Sequence, residues 1–256
     1  MDTENIADAL WGAMQEGRFM PPEWAGKFSL EQGYAIQLSL LRRRLANGER
    51  QSGWKVGLTA AAMRNQQRVH EPCFGYLLES ARHASGHSYR LDDLIAPGFE
   101  NELCLTLGQT LTGPGVTLDD ALRAVSHAAP ALEIVEVRGP FADNLPLAMA
   151  DNAQQKAYVL GDDVALTPDN CDLARAKVSV KVGDLPADSA LGSAVMDGGG
   201  LLSVVWLANK LAQFGMALEA GTQVMSGSFT RQYSVASATR VASHFDPFGT
   251  VEAHFI

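Results

Sequence analysis

The sequence predicts an α+β fold in which a helical N-terminal part precedes a mainly β body. Apolar residues recur at helical spacing before about residue 70, and runs typical of strands dominate after it. Strands and helices do not alternate regularly in the second part, which argues against a doubly wound parallel sheet. The 256 residues, 46% of them hydrophobic, can bury an ordinary core. We predict one domain over residues 1–256, with 1–70 mainly helical and 71–256 forming the β body.

Two helices are predicted in the first 50 residues. Apolar side chains recur one turn apart from Asn5 to Gln15, and two prolines keep the segment Met20–Trp24 out of helix. Ser29 and Gln32 have the spacing of a capping box, which opens a second helix. Gly48 is a natural C-terminal stop for that helix.

The middle of the chain alternates between the two kinds of element. Trp54–Leu58 is short and strand-like, and Thr59 is a candidate cap for a helix from Ala60 to Val69. Phe99–Leu107 alternates like a strand. A helix beginning at Thr117 is expected to stop before Pro130.

The remaining elements are mostly strands. Leu132–Val137 is predicted as a strand, and Lys177–Val182 with the following Gly183-Asp184 turn as the start of a hairpin. Leu201–Phe214 is predicted as an amphipathic helix. A second hairpin is predicted within Val241–Phe255, because Asp-Pro-Phe-Gly separates two apolar runs there.

Charge and composition exclude several function classes. Lys and Arg number 20 against 29 Asp and Glu, so the formal charge is −9 and the chain lacks the basic footprint of a nucleic-acid binder. The one basic run, Arg42–Arg44, is interpreted as a solvated helix face. No apolar run approaches a membrane span, and the acidic start Met1–Glu4 lacks a secretory pattern. Cys73, Cys104 and Cys171 form no CxxC pair, so we expect reduced thiols in a cytoplasmic protein.

Two glutamates on the strand Phe99–Leu107 are hard to place in an ordinary core. Side chains at i and i+2 of a strand share a face, so Glu100 and Glu102 project together about 6.5–7 Å apart along the strand. The other face is apolar and is expected to pack on a core. Two carboxylates held side by side repel each other, so either one is protonated or a cation lies between them.

Glu133 is a further anomaly, because it lies in the apolar run Leu132–Val137. A buried lone carboxylate is costly unless it is paired or bound to a metal. If Glu133 faces the other two glutamates, three hard oxygen ligands converge, and such ligands suit Mg²⁺ or Mn²⁺ better than zinc. The alternative is that these glutamates pair with Lys55, Arg138 or Lys156, or lie on an exposed edge. Spacing alone leaves both interpretations open.

Six short motifs occur in a characteristic order along nearly the whole chain. They are Trp54-Lys55-Val56-Gly57-Leu58-Thr59, Phe74-Gly75, Phe99-Glu100-Asn101-Glu102, Pro130-Ala131-Leu132-Glu133, Ala150-Asp151-Asn152-Ala153 and Ser226-Gly227-Ser228-Phe229-Thr230. Together they resemble the 2-keto-4-pentenoate hydratase / 2-oxohepta-3-ene-1,7-dioate hydratase / 4-oxalocrotonate decarboxylase family of the fumarylacetoacetate hydrolase superfamily. The resemblance implies a fumarylacetoacetate-hydrolase-like mixed β-roll with an N-terminal helical region, in a protein that is usually a homo-oligomer.

The resemblance also implies ligands for a metal ion. The family's ExE…E motif maps onto Glu100, Glu102 and Glu133, the same trio that the charge argument selects. A Mg²⁺ or Mn²⁺ ion held there would act as a Lewis acid on a short acid that offers a carboxylate and an adjacent oxygen.

Further site residues follow from the same mapping. The lysine of the family's KxGLT motif is Lys55, which would bind the substrate carboxylate or assist proton transfer; the alternative is a structural ion pair. Ser228 and Thr230 lie in the glycine-rich pocket segment and are candidate substrate ligands, although turn chemistry would also explain them. Gln154 stands where relatives often carry a small polar residue and is a candidate for the pocket.

Two departures from the family pattern concern the choice of reaction. Many hydratases of the group carry an Asp directly before the aromatic-Gly pair, where this chain has Cys73. Decarboxylase relatives also lack that Asp. Relatives of both kinds often have Pro-Arg before the ExE strand, where this chain has Pro97-Gly98. Glu71 is a candidate replacement for the missing carboxylate, and Cys73 would serve as a base only with a depressed pKa.

The implied function is a divalent-metal-dependent hydro-lyase that adds water to a short 2-hydroxy-dienoate or 2-oxo-enoate from aromatic meta-cleavage catabolism. A 4-oxalocrotonate-type decarboxylase and a dienol–ketone tautomerase are alternatives on the same metal site. A non-catalytic protein that binds an oxo acid or a metal is an alternative of another class. The intact glutamates and Lys55 favour an enzyme, whereas the missing Asp and Arg favour the binding protein.

Overall fold

The computed structural model describes residues 2–61, 64–65 and 69–256. Both predicted N-terminal helices are confirmed, as α1 (Thr3–Gln15) and α2 (Leu30–Ala46), and they pack against each other. Ser29 and Gln32 form the expected capping box, and Gly48 follows α2 with a φ of 91°. The helix predicted over 60–69 falls largely on residues outside the described ranges.

Strands dominate the rest of the described chain. In chain order they are β1 (Gln51–Gly57), β2 (Cys73–Leu78), β3 (Arg82–Ala84), β4 (His87–Tyr89), β5 (Pro97–Leu107), β6 (Val125–Glu136), β7 (Gln155–Leu160), β8 (Val164–Ala165), β9 (Lys177–Val182), β10 (Leu185–Leu191), β11 (Gln223–Met225), β12 (Tyr233–Ser234), β13 (Thr239–Asp246) and β14 (Gly249–Phe255). The further helices are α3 (Leu118–Ala124), α4 (Leu145–Ala150) and α5 (Gly200–Ala212). The α+β class is confirmed, as are both predicted hairpins, β9–β10 and β13–β14.

The described strands form two sheets. The larger has nine strands in the order β2-β1-β11-β5-β6-β7-β3, with β12 added to β5 and β8 added to β6. The smaller has five strands in the order β10-β9-β13-β14-β4. Strands β13 and β14 contact β6, so the two sheets meet over the central strands of the larger one. The long antiparallel pair β5–β6 lies at the centre of the larger sheet and carries all three glutamates.

Strand β6 corrects one prediction. The helix predicted from Thr117 stops before Pro130 as expected, at Ala124, but the strand predicted from Leu132 already begins at Val125 and continues through the proline. Beside β6, strand β8 pairs with His127 and Ala128, and β7 begins to pair only at Ala131. Pro130 lies between these two partners, so its missing N–H removes no bond from either ladder.

The two faces of the larger sheet are packed differently. Apolar side chains of β5 and β6 such as Phe99, Leu103 and Leu132 join the main hydrophobic cluster, as predicted from the alternation. The opposite face carries a smaller apolar cluster, which includes Cys104 and Ala131. The glutamates lie on this second face.

Candidate active site

The three glutamates converge because of the register between β5 and β6. Glu100 lies directly opposite Glu133, and Glu102 lies opposite Ala131, so all three carboxylates project from one face. One carboxylate oxygen of each residue lies within 4.8 Å of the others. Glu102 and Glu133 are fully buried, and Glu100 is partly exposed. The predicted convergence is therefore present in the structure.

Lys55 reaches this cluster from β1. Lys55 pairs with Met225 of β11, and Met225 pairs with Cys104 of β5, so Lys55 lies on the same face as Glu102. Its Nζ is 3.4 Å from Glu133 Oε1, and only 5% of the residue is exposed. The ion pair considered from the sequence is therefore formed. One lysine opposes three carboxylates here, and we call Lys55, Glu100, Glu102 and Glu133 the glutamate cluster.

Burial and repulsion shift the pKa of each group in the glutamate cluster. Burial, together with the charge of Glu133, raises the pKa of Glu100 to about 7. The same two causes raise the pKa of Glu102 well above its usual range. Burial also raises the pKa of Glu133, although Lys55 opposes that shift. For Lys55, burial is the largest single effect and favours the neutral amine, but the surrounding acidic groups, Glu133 foremost, together outweigh it and raise the pKa, so the lysine stays charged.

The donor atoms of the glutamate cluster fit a hard divalent cation. Glu102 Oε1 and both carboxylate oxygens of Glu133 are buried without a hydrogen-bond partner among the described residues. Such oxygens are costly unless a charge compensates them. An all-carboxylate set without His or Cys suits Mg²⁺, Ca²⁺ or Mn²⁺, which bind oxygens at about 2.0–2.6 Å.

The chain after β11 supports Glu102 from the side. Ser226 N–H donates to Leu103 O at 3.1 Å and Phe229 N–H donates to Asn101 O at 2.9 Å, so this segment continues to pair with β5. Between them, Gly227 N–H donates to Glu102 Oε2 at 2.7 Å. Gly227 has a φ of 109°, and a Cβ there would lie 2.4 Å from Thr59 Cγ2. Only glycine therefore fits this position.

A cavity of about 390 Å³ opens beside the glutamate cluster. Most of the predicted site residues line it: Lys55, Cys73, Glu100, Gln154, Ser228 and Thr230. Glu71 does not line it, because its carboxylate lies 2.7 Å from Lys210 Nζ on α5 and its side chain is 40% exposed. The structure therefore does not bring Glu71 to the site.

The cavity has further walls that sequence reasoning missed. Val135, Val137 and Phe141 form apolar parts of the wall, and the exposed Arg231 contributes a second cation beside Lys55. Val135 was detectable, since it lies two residues after Glu133 on the same strand and so shares its face. Phe141 and Arg231 lie outside regular elements, where no periodicity points to a face.

The hydroxyl groups of Ser228 and Thr230 are tied to β5. Asn101 N–H donates to Ser228 Oγ at 3.3 Å, and Asn101 Nδ2 donates to Thr230 Oγ1 at 2.8 Å. Thr230 Oγ1 also donates to Arg231 O at 3.1 Å. These bonds hold the segment against the strand, so the turn chemistry considered for both residues is present alongside their place in the cavity wall.

Cys73 is a buried thiol in the cavity wall. Burial raises its pKa to about 11, and the charge of Lys55 opposes the shift only in part. The thiol is therefore protonated near neutral pH, and it is a poor base.

These features define the class of protein: an α+β enzyme with a buried carboxylate cluster beside a small, mainly apolar cavity. No family model matches the chain. It is 34% identical to the 2-hydroxyhexa-2,4-dienoate hydratase of Comamonas testosteroni, over 98% of this chain and 97% of that protein. It is 36% identical to a 2-hydroxypent-2,4-dienoate hydratase of Pseudomonas putida, over 83% of this chain and 96% of that one.

A solved structure agrees with these relatives. The 4-oxalocrotonate decarboxylase from Pseudomonas putida G7, complexed with magnesium and adipate, matches with a TM-score of 0.91 and 27% identity over 99% of this chain and 97% of that one. The chain therefore belongs to the 2-keto-4-pentenoate hydratase / 2-oxohepta-3-ene-1,7-dioate hydratase / 4-oxalocrotonate decarboxylase family, within the fumarylacetoacetate hydrolase superfamily. It is a lyase of that family. No helix among the described residues is long and apolar enough to cross a membrane.

Proposed function

We propose that this chain is a Mg²⁺-dependent hydratase that adds water to a short 2-hydroxy-dienoate from aromatic-ring cleavage, by way of the 2-oxo-enoate. The observation that carries the proposal is the buried glutamate cluster, with its excess of negative charge, next to a cavity whose walls are largely apolar. The two hydratases named above support the choice of reaction.

The metal would be held by Glu100, Glu102 and Glu133. Bound there, Mg²⁺, or Mn²⁺ in its place, would supply Lewis-acid polarisation of the substrate's oxygens. The buried, unpartnered carboxylate oxygens and the all-oxygen donor set support this assignment. The related decarboxylase was solved with magnesium, which favours the same ion here.

The chain's own residues have distinct tasks in this scheme. Lys55 stays positively charged and would bind the substrate carboxylate or donate a proton to a developing oxyanion. The apolar side chains Val135 and Phe141 would accommodate the hydrocarbon end. In a five-carbon dienol, the 2-hydroxyl loses a proton and C5 gains one. Water oxygen then bonds to C4, the C3=C4 electron pair takes up a proton at C3, and the water gives up one proton.

A decarboxylase acting on a short dicarboxylate is the second candidate, and Arg231 favours it. Its guanidinium lies over the Tyr233 ring at 4.4 Å, and none of the ion pairs between described residues includes it. As an exposed cation in the cavity wall, it can meet a second carboxylate that a mono-acid lacks.

The test is turnover of two substrates with the metal-loaded protein. Purified protein with Mg²⁺ would be given 2-hydroxypenta-2,4-dienoate or 2-hydroxymuconate, with ultraviolet absorbance and NMR identifying the products. A 4-hydroxy-2-oxo product, absent with Glu102→Gln, supports the hydratase. Release of CO₂ from the diacid supports the decarboxylase. Conversion of dienol to ketone alone contradicts both, and affinity without turnover would mean a binding protein.

We also propose that the chain forms a homo-oligomer, as members of its family usually do. Family membership is the support for this proposal. Light scattering after size-exclusion chromatography would test it, since a monomer near 27.4 kDa contradicts it.

A further inference from the structure

Three consecutive residues beside the cavity have left-handed backbone. The φ values of Asn152, Ala153 and Gln154 are 55°, 49° and 61°. Residues with a Cβ rarely adopt this region, and a run of three persists only where the surroundings determine it. Ala153 and Gln154 both line the cavity, so the unusual turn determines what the cavity presents to a ligand.

Two buried anchors hold the turn. The Asn152 carboxamide accepts from Tyr76 N–H at 2.7 Å and donates to Tyr76 O at 3.0 Å, which joins the turn to β2 like a strand partner. Arg138 holds the preceding residue, donating to Asp151 Oδ2 at 2.6 Å and to Asp151 O at 2.9 Å. The turn is therefore rigidly placed against the sheet.

This placement fixes the orientation of the Gln154 side chain. Gln154 Nε2 donates to Gly139 O at 2.8 Å and contacts Met20 Sδ at 3.3 Å. A backbone carbonyl can only accept, so the nitrogen of the carboxamide must face Gly139. No described residue donates to Gln154 Oε1, and the residue lines the cavity although it is only 7% exposed. Gln154 thus presents an acceptor rather than a donor.

We propose that Gln154 Oε1 is the hydrogen-bond acceptor that holds the water molecule which is added to the substrate. This inference rests on the proposed hydratase function. A water that attacks through a lone pair must be held by its hydrogen atoms, which requires an acceptor. The Lys55 ammonium only donates, the Cys73 thiol is a weak acceptor, and Glu100 is assigned to the metal. Ser228 Oγ and Thr230 Oγ1 already accept from Asn101, whereas Gln154 Oε1 is held by the turn and accepts from no described residue. Gln154 orients the water and neither gains nor loses a proton, so it is a positioning residue for the nucleophile.

The test compares hydration with ketonisation of 2-hydroxypenta-2,4-dienoate by the Mg²⁺-loaded protein. Gln154→Met lacks the carboxamide but has a side chain of similar length. We expect its ratio of hydration to ketonisation to fall at least about tenfold, because that is the rate effect of losing one hydrogen bond to the attacking water. The KM for the dienol is expected to change less than the kcat of hydration. Gln155→Met is the matched control, because the next side chain lines a different cavity, and it should keep the wild-type ratio.

A second variant keeps the inference testable if Gln154→Met does not fold. Protonated Glu at this position can donate to Gly139 O and still present its carbonyl oxygen, whereas the ionised form repels Gly139 O. Hydration by Gln154→Glu, relative to wild type at the same pH, should therefore be restored at low pH and fall as pH rises. An unchanged product ratio in Gln154→Met, an equal loss in Gln155→Met, or a flat relative profile for Gln154→Glu overturns the inference. The wild-type protein tests the hydratase proposal separately, because that proposal fails only if wild type itself forms no hydrated product.

Discussion

Two clusters of buried charges lie on opposite faces of β6, three residues apart in the chain. On one face is the glutamate cluster, in which Lys55 is the one cation among the described residues that opposes three carboxylates. On the other, Glu136 and Asp151 are met by Arg138 at 3.0 and 2.6 Å, and Lys156 lies 3.2 Å from Glu136. We call Glu136, Arg138, Asp151 and Lys156 the balanced cluster.

Glu136 and Asp151 are buried like Glu102 and Glu133, although Lys156 is exposed, so the two clusters differ mainly in charge balance. Three carboxylate oxygens of the glutamate cluster are buried without a hydrogen-bond partner among the described residues. By contrast, both oxygens of Glu136 accept, from Ile95 N–H and from Arg138, and Asp151 Oδ2 accepts from Arg138. A balanced buried network holds structure together, and here it anchors the turn before β7. An unbalanced one requires a further cation or a proton. Buried acidic residues therefore indicate a functional site only when they have too few basic partners to balance their charge.

The largest expected effect comes from removing one carboxylate of the glutamate cluster. Glu102→Gln should lower turnover by about 10²–10³-fold, since a metal site contributes several kcal/mol of charge stabilisation. The same change should raise the free energy of unfolding in EDTA by about 1 kcal/mol, because it relieves repulsion between buried like charges. Turnover assays and denaturant unfolding measure the two effects. Wild-type turnover with a less stable apo protein would mean that the cluster is merely structural.

The balanced cluster should respond in the opposite way. Arg138→Met leaves Glu136 and Asp151 buried without their main partner and should cost about 3–5 kcal/mol of stability, with or without Mg²⁺. Arg240→Met, in an exposed pair with Glu252, is the control and should change stability by about 1 kcal/mol or less. Denaturant unfolding of both variants measures the difference. Equal small losses would remove the distinction between buried and exposed pairs.

Metal binding should separate the clusters again. Mg²⁺ at about 100 times its Kd should raise the free energy of unfolding of the wild type by about 2.7 kcal/mol. Glu133→Gln should abolish most of this increase, whereas Glu136→Gln on the opposite face should retain it. Thermal unfolding with and without EDTA measures these shifts. If Glu136→Gln lost the stabilisation by Mg²⁺, the ion would lie on the face of Glu136 and not at the glutamate cluster.

The last expected effect is the pH dependence of Cys73 alkylation in EDTA, which leaves the residues of both clusters unchanged. Burial raises the pKa of this thiol to about 11. Only the thiolate reacts, so the rate should rise about tenfold per pH unit between about pH 7 and 10. Mg²⁺ should speed the reaction at a given pH by favouring the thiolate. Cys171, which is less buried, is the internal reference in mass spectrometry, and a Cys73 rate that levels off below pH 9 would contradict the assignment.

Local patterns were sufficient for much of the fold and of the site. The capping box at Ser29, the alternation along β5 and the motif order predicted α2, the face shared by Glu100 and Glu102, and the family. The start of β6 was predicted too late, after Pro130. A proline is accepted inside this strand because it lies in the gap between two neighbouring strands, which the local sequence does not show. The place of Glu71 was also beyond local reasoning, because its partner Lys210 is 139 residues away in the chain.

The sequence by itself determined which residues could carry the chemistry, because side-chain type and the two-residue period of a strand are local properties. It thus placed Glu100 and Glu102 on one face and singled out Glu133 and Lys55. Only the tertiary structure decided which carboxylates are neutralised. Strand register and the path of β1 pair Lys55 with Glu133. Arg138 and Lys156 instead form ion pairs with Glu136 on the other face of β6. Charge balance in a buried site depends on distances between groups far apart in the chain, and no local pattern contains them.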